Sequence, residues 1–236
     1  MKTRLAVAQG LALLAVLALS QPAGAQTPGG LQEKLAAAKA SAAQNQLALR
    51  SYTWVEKTDL SLKGEVKNSK LNSCRYGPDG KVQKTLIGDP PPPPAKKPGL
   101  RGKIIEKKKE EMKEELQAAT ALVHQYVPPD PGLIQVVINA GKASLAQEGP
   151  GAVALKFSDY VKAGDALTLR LDAALKAMRQ MSVATYMDDP KSPVTLQVDL
   201  QSLPDGTNYP ASVSMKIPAS QIEVRVTNSN YQKLAQ

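Results

Sequence analysis

The sequence predicts an α+β protein: a curved antiparallel β-sheet, or half-barrel, with helices covering its concave face. Three observations predict it. First, the C-terminal half repeats strict two-residue alternation, as in "SPVTLQVDLQSL", where Val194, Leu196, Val198 and Leu200 alternate with Thr195, Gln197, Asp199 and Gln201. Alternation of this kind belongs to strands with one dry and one wet face. Second, two segments, 31–50 and 101–127, carry apolar residues at helical spacing instead. Third, a sheet with one dry face needs a cover, and these helices are the elements able to supply it.

The chain of 236 residues opens with Met1-Lys2-Thr3-Arg4, an apolar run from Leu5 to Leu19, and small residues at Ala23 and Ala25. A short cationic start, an apolar core too short to span a bilayer and an A-x-A site make a secretory signal peptide over 1–25. The expected compartment is the periplasm, and residues 26–236 form the expected single domain. Cys74 is the one cysteine, which excludes an internal disulfide and fits a small buried hydrophobe. The formal net charge is +9, and aromatics are 4% of residues. Charge of this size favours solubility and attraction to anionic surfaces. Nucleic-acid binders interleave basic residues with stacking aromatics, and that pattern is absent.

In order along the chain, "LQEKLAAAKASAAQNQLALR" (31–50) is alanine-rich, free of β-branched residues, and reads as a helix. In "SYTWVEKTDLSLKG" the period drops to two, with Tyr52, Trp54, Thr58, Leu60 and Leu62 on one side. Lys63-Gly64 turns the chain into "EVKNSKLNSCRY". The turn "YGPDGK" (76–81) sends it back as "KVQKTLI": proline presets φ and Asp-Gly supplies the bend. Five prolines at 90–94 then exclude helix and central strand and predict an extended polyproline II connector.

The helix predicted at 101–127 puts Ile104, Ile105, Lys108, Met112, Leu116, Ala119 and Val123 on one face. Between Lys103 and Leu116 stand five lysines and five glutamates. The charges cancel, so this is the solvated side of an amphipathic helix, with Glu106–Lys109, Glu110–Lys113 and Lys107–Glu111 as surface pairs. "PPDPG" (128–132) ends it, and "LIQVVINAGK" offers a shorter helix. The proline run and both helices form an insertion at about 88–142. After it, "GAVALKFSDYV" is ambiguous, whereas "DALTLRLDAAL", "MSVATYMDD", "SPVTLQVDLQSL", "YPASVSMKIP" and "SQIEVRVTNSNY" read as strands. The expected total is seven or eight strands.

Catalytic chemistry has little to draw on. His124 is the single histidine and no motif surrounds it; a triad needs a histidine oriented by a carboxylate. One histidine and one cysteine do not make a zinc site. Asp188-Asp189 before Pro190 fits turn chemistry, and "GPG" at 149–151 lacks phosphate-loop spacing. The expectation is a protein that is not an enzyme and needs no cofactor or metal. Its expected chemistry is a hydrophobic surface for a guest, lined by Tyr52, Trp54, Leu60, Met112, Leu116, Leu169, Met187, Leu196 and Met215.

The order of signal peptide, alanine-rich helix, "YTWVEKTDLSL", "YGPDGKV", helical insert and a closing meander with "LPDGTNYPASVSMKI" resembles the periplasmic lipoprotein carrier and sorting superfamily. These are the LolA/LolB-like half-barrels, which include regulators of the sigma-E pathway. The resemblance spans about residues 31–231. It implies a cavity for lipid or lipoprotein acyl chains under a helical lid, closed by an arginine network in which Arg50, Arg75, Arg101 and Arg170 are open candidates. The expected protein is a monomeric, non-catalytic carrier. The alternative is a structural or regulatory module that binds another envelope protein and carries no lipid.

Overall fold

The computed structural model describes residues 43–88, 100–172 and 177–234. The expected signal peptide, the start of the helix expected at 31–50 and the expected proline connector lie outside the described residues. Among the described residues the architecture is an open, curved antiparallel sheet of ten strands with three helices. Helix α1 covers residues 43–49. Strands β1 (Tyr52–Leu62), β2 (Glu65–Tyr76) and β3 (Val82–Leu86) form a meander, followed by helices α2 (Leu100–Val123) and α3 (Pro131–Asn139). Then come β4 (Ala143–Gly149), β5 (Ala152–Ser158), β6 (Ala166–Asp172), β7 (Ala177–Tyr186), β8 (Pro193–Ser202), β9 (Asn208–Ile217), a 3-10 turn (Pro218–Ser220) and β10 (Ile222–Lys233).

The strand order is β3-β2-β1-β10-β9-β8-β7-β6-β5-β4. Seven strands from β4 to β10 run as one meander, and β10 returns to pair with β1 along its whole length. The two Pro-Asp-Gly turns are built alike. Lys81 N–H donates to Asp79 Oδ1 and Thr207 N–H to Asp205 Oδ1, each at 3.0 Å. Gly80 and Gly206 have φ of +72° and +83°, the left-handed region where glycine carries no Cβ penalty.

Ten strands exceed the seven or eight expected. The ambiguous segment is β5. Strand β4, "ASLAQEG", gave no signal because alanine, glutamate and glycine disfavour strands and its residues are mostly exposed. It is a strand because β5 supplies its backbone partners. Strand β7 begins at Ala177, earlier than "MSVATYMDD" suggested.

Helix α2 ends at Val123 and not at Val127, because the chain turns through residues 124–127 before the first proline. Of the three ion pairs expected on it, Lys113–Glu110 forms at 2.5 Å and Lys107–Glu111 lies at 3.8 Å. Helix α3 has a complete N-terminus. Pro131 sits in its first turn, and Asp130 Oδ1 accepts from Gly132 N–H at 2.6 Å and Leu133 N–H at 3.3 Å.

One buried cluster holds most of the core. It joins Leu116, Ala119 and Val123 of α2 and Ile134 and Val137 of α3 to the inward residues of β5 through β10. A polar anchor fixes the chain between α2 and α3. Buried Asp165 accepts from Tyr126 Oη at 2.5 Å and from the backbone N–H groups of Tyr160, Val161 and Lys162. Tyr126 Oη also contacts Thr185 Oγ1 at 2.7 Å. Every buried oxygen of this nest has partners, as buried polar groups require.

Candidate ligand site

The register places a continuous apolar wall across the sheet. Leu155, Leu169, Met181, Val198, Val213 and Val226 are successive cross-strand partners from β5 to β10. A parallel row runs Phe157, Leu167, Val183, Leu196, Met215, Val224 and Leu60. The alternation in the sequence thus converts into rows, since a strand period of two keeps one residue type on one face.

Of the nine residues expected to line a hydrophobic site, seven meet on this wall. Leu116, Leu169, Leu196 and Met215 belong to the main cluster; Leu60, Met112 and Met187 pack against it half-buried. Leu196 is 1% and Met215 2% exposed, so both are fully packed. The other two lie elsewhere. Trp54 joins Cys74 and Val82 in a separate small cluster. Tyr52 is buried and its hydroxyl donates to Asp205 Oδ2 at 2.6 Å.

That separate cluster changes the character of the face at the β1–β3 end. Trp54 stacks on Tyr231 with ring centroids 5.5 Å apart and an 8° tilt, and Tyr76 packs against Trp54 with centroids 5.4 Å apart. Next along β1 is Glu56, 1% exposed, whose two oxygens accept from Lys84 Nζ of β3 at 2.5 and 2.6 Å. Burying a carboxylate is costly without such a partner. Trp54 Nε1 and Asn228 Oδ1 are buried with no hydrogen-bond partner among the described residues. Cys74 is 1% exposed, and burial pushes its thiol up to about 12. It behaves as the packed hydrophobe the sequence suggested, far from a reactive thiolate.

The opposite face carries a polar trough of about 680 Å3 across β4 to β10. Its central row is Ser144, Lys156, Thr168, Ser182, Gln197, Ser214 and Arg225, again successive partners. Arg170 is tied down: Nε donates to both oxygens of Glu148, and Nη1 donates to Gln180 Oε1 at 2.6 Å. Asp199 accepts from Gln180, Gln197 and Ser212. Burial alone would raise its carboxyl, but those bonds hold it below the usual range. The sequence had marked most of these residues only as the wet half of an alternation. Periodicity assigns a residue to a face but does not say that the face is hollowed.

The remaining chemical candidates fall into ordinary roles. His124 is exposed on the turn after α2, its N–H bonded to the Thr120 carbonyl. Asp189 Oδ1 accepts from Lys191 N–H at 2.8 Å inside the β7–β8 turn, as turn chemistry predicts. Arg75 bonds Gln83 across β2 and β3. Among the described residues no group of three or more histidine, cysteine or acidic side chains is placed to hold a metal. No helix among them is long and apolar enough to cross a membrane.

No protein-family model matches the chain, and no curated protein matches it. The structure is similar to the crystal structure of a DUF1329 family protein from Desulfovibrio piger. The TM-score is 0.34 and the identity 9%, over 80% of this chain and 90% of that one.

Proposed function

We propose that this protein is an exported, non-catalytic binder of lipid or lipoprotein acyl chains, which it takes up between helix α2 and the apolar wall of the sheet. The observation that carries this reading is a contrast within α2. Its C-terminal half gives Leu116, Ala119 and Val123 to the core. Residues 103–111 are all exposed, Ile104 at 57% and Ile105 at 37%. A helix docked by one half and free along the other is built to lift. In this reading α2 and α3 are the cover of the sheet's apolar side, and α2 is its movable part.

Lifting α2 uncovers leucine, valine and methionine rows that suit an alkyl chain. Each buried methylene contributes about 0.8 kcal/mol, so a long acyl chain can replace the contacts α2 gives up. The export signal and the resemblance to half-barrel carriers support the same reading. Native mass spectrometry of the protein purified from a periplasmic extract is expected to show bound lipid, and the stripped protein to take up a fluorescent fatty acid saturably. A clean apo mass together with no uptake would sink the proposal.

A second reading, an envelope protein-binding module without lipid cargo, draws on the same helix. The wall is packed in the present state, with Val198 and Ile217 at 0% exposure, while Ile104 and Ile105 already face solvent. Under it, Ile104→Asp with Ile105→Asp abolishes association with the envelope fraction, and the wild type binds no fatty acid.

A further inference from the structure

The polar trough lies on the face opposite the apolar wall, so what it does is independent of the acyl-chain reading. Six charged side chains line it: Lys156, Arg170, Lys216 and Arg225 against Glu148 and Asp199. Four cations face two anions, and the anions are already occupied. Glu148 is held by Arg170, and Asp199 by two amides and a hydroxyl. Arg225 pairs with Glu223 at 2.8 Å.

Two lysines are left. Lys156 on β5 makes no hydrogen bond or ion pair among the described residues. Lys216 on β9 reaches only to 4.0 Å from Glu223, which already accepts from Arg225 and Ser214.

Each available ammonium stands beside unengaged hydroxyls. Lys156 has Ser144 and Thr168 as its direct cross-strand neighbours, and Lys216 has Thr195. None of these three hydroxyls makes a side-chain hydrogen bond among the described residues. An ammonium flanked by hydroxyl donors on a rigid sheet is a receptor for a phosphate, sulfate or carboxylate group. Four strand steps separate β5 from β9, about 19 Å measured along the curved surface. Between the two stations the floor carries short side chains, Ser182 on β7 with the alanines 166 and 184 on β6 and β7. A ligand body there meets only small side chains, and a hydroxylated one finds Ser182 Oγ, which accepts from Arg170 and keeps its own proton, and Gln197 Oε1, whose amide nitrogen already donates to Asp199. The volume falls within the range of about 300–1,000 Å3 typical of small-ligand sites.

We propose that the trough binds an anionic oligosaccharide, one anionic group held by Lys156 with Ser144 and Thr168 and a second by Lys216 with Thr195. The test is isothermal titration of the mature chain with a sulfated heparin tetrasaccharide. Neutral maltotetraose and vesicles of phosphatidylglycerol in phosphatidylcholine serve as the comparison arms. The expected result is saturable binding of the sulfated tetrasaccharide that weakens with salt, and none of maltotetraose. Lys156→Gln and Lys216→Gln are each expected to lower affinity about tenfold, and Lys156→Arg to retain it. Both lysines are solvent-facing, so melting temperatures should match the wild type. The proposal is overturned by no binding at millimolar tetrasaccharide, by equal binding of maltotetraose, or by binding only to the acidic vesicles. It is also overturned if either glutamine variant binds like the wild type, since then the two stations do not hold one ligand.

Discussion

On one face of the sheet the row Leu155, Leu169, Met181, Val198, Val213 and Val226 crosses six strands; on the other, Lys156, Thr168, Ser182, Gln197, Ser214 and Arg225 crosses the same six. Each residue of the second row is the chain neighbour of one in the first. The two rows share backbone, register and hydrogen bonds, and differ only in side-chain direction. One is sealed, with Met181 and Val198 at 0% exposure; the other lines a trough of about 680 Å3. Register is therefore the quantity that makes both surfaces at once. A one-residue slip of β5 would set Lys156 into the wall and Leu155 into the trough.

The contrast is broken most sharply by truncating the wall. Leu196→Ala or Met215→Ala should cost about 2–5 kcal/mol in urea unfolding. The neighbouring Ser214→Ala loses one exposed-side hydrogen bond to Glu223 and should cost no more than about 1 kcal/mol. Equal losses on the two faces would mean that the wall is not a packed core.

A somewhat smaller loss tests what ties the helices to the wall. Asp165→Asn keeps the shape but removes the charge that accepts from Tyr126 Oη and three backbone N–H groups. The expected cost is roughly 2–3 kcal/mol. Hydrogen exchange in residues 124–139 should rise with it.

The third effect is confined to acid. Hydrogen bonds from Tyr52 Oη and Thr207 hold the Asp205 carboxyl down to about 2. Its unfolded value is about 3.9. Stability from this group is complete above that value and is lost as pH falls towards 2. Asp205→Asn should therefore flatten the acid limb of the stability profile between about pH 4 and 2, and Tyr52→Phe should flatten part of it. An unchanged limb would remove the Tyr52–Asp205 bond from the account of how β1 meets the β8–β9 turn. The smallest effect is expected on the solvated side of α2. Lys113→Ala deletes an exposed ion pair with Glu110 and should change stability by less than about 0.5 kcal/mol.

Much of the fold was legible because its rows are written as alternation. The segments 167–171, 194–200, 213–217 and 222–226 alternate without interruption, and all became wall strands. The α2 stripe was equally plain at Leu116, Ala119 and Val123, but the same period put Ile104 and Ile105 on it, and both face solvent. Helical spacing says which residues share a side, not how far along the helix its partner extends. Strand β4 was illegible because backbone pairing to β5 makes it a strand, while its mostly exposed side chains carry no apolar period. Seven of the nine expected lining residues converge because they were drawn from alternating strands and the α2 stripe. Trp54 and Tyr52 do not, because β1 passes from the wall into the Glu56–Lys84 and Trp54–Tyr231 region within three alternations. The trough was beyond reach, since curvature is set by ten strands together and by no segment of sequence.

The central claim is that α2 lifts from the wall to admit an acyl chain. Glu115 of α2 and Ser220 of the 3-10 turn are joined by a hydrogen bond from Ser220 Oγ to Glu115 Oε1, which makes them a natural place to pin the helix. The double variant Glu115→Cys with Ser220→Cys can be cross-linked by a short bis-maleimide reagent and its fatty-acid uptake compared with the unlinked form. The unlinked protein should take up the fluorescent fatty acid and the linked protein should not. Equal uptake in both forms, or uptake in neither, would contradict a movable α2 over an acyl-chain site.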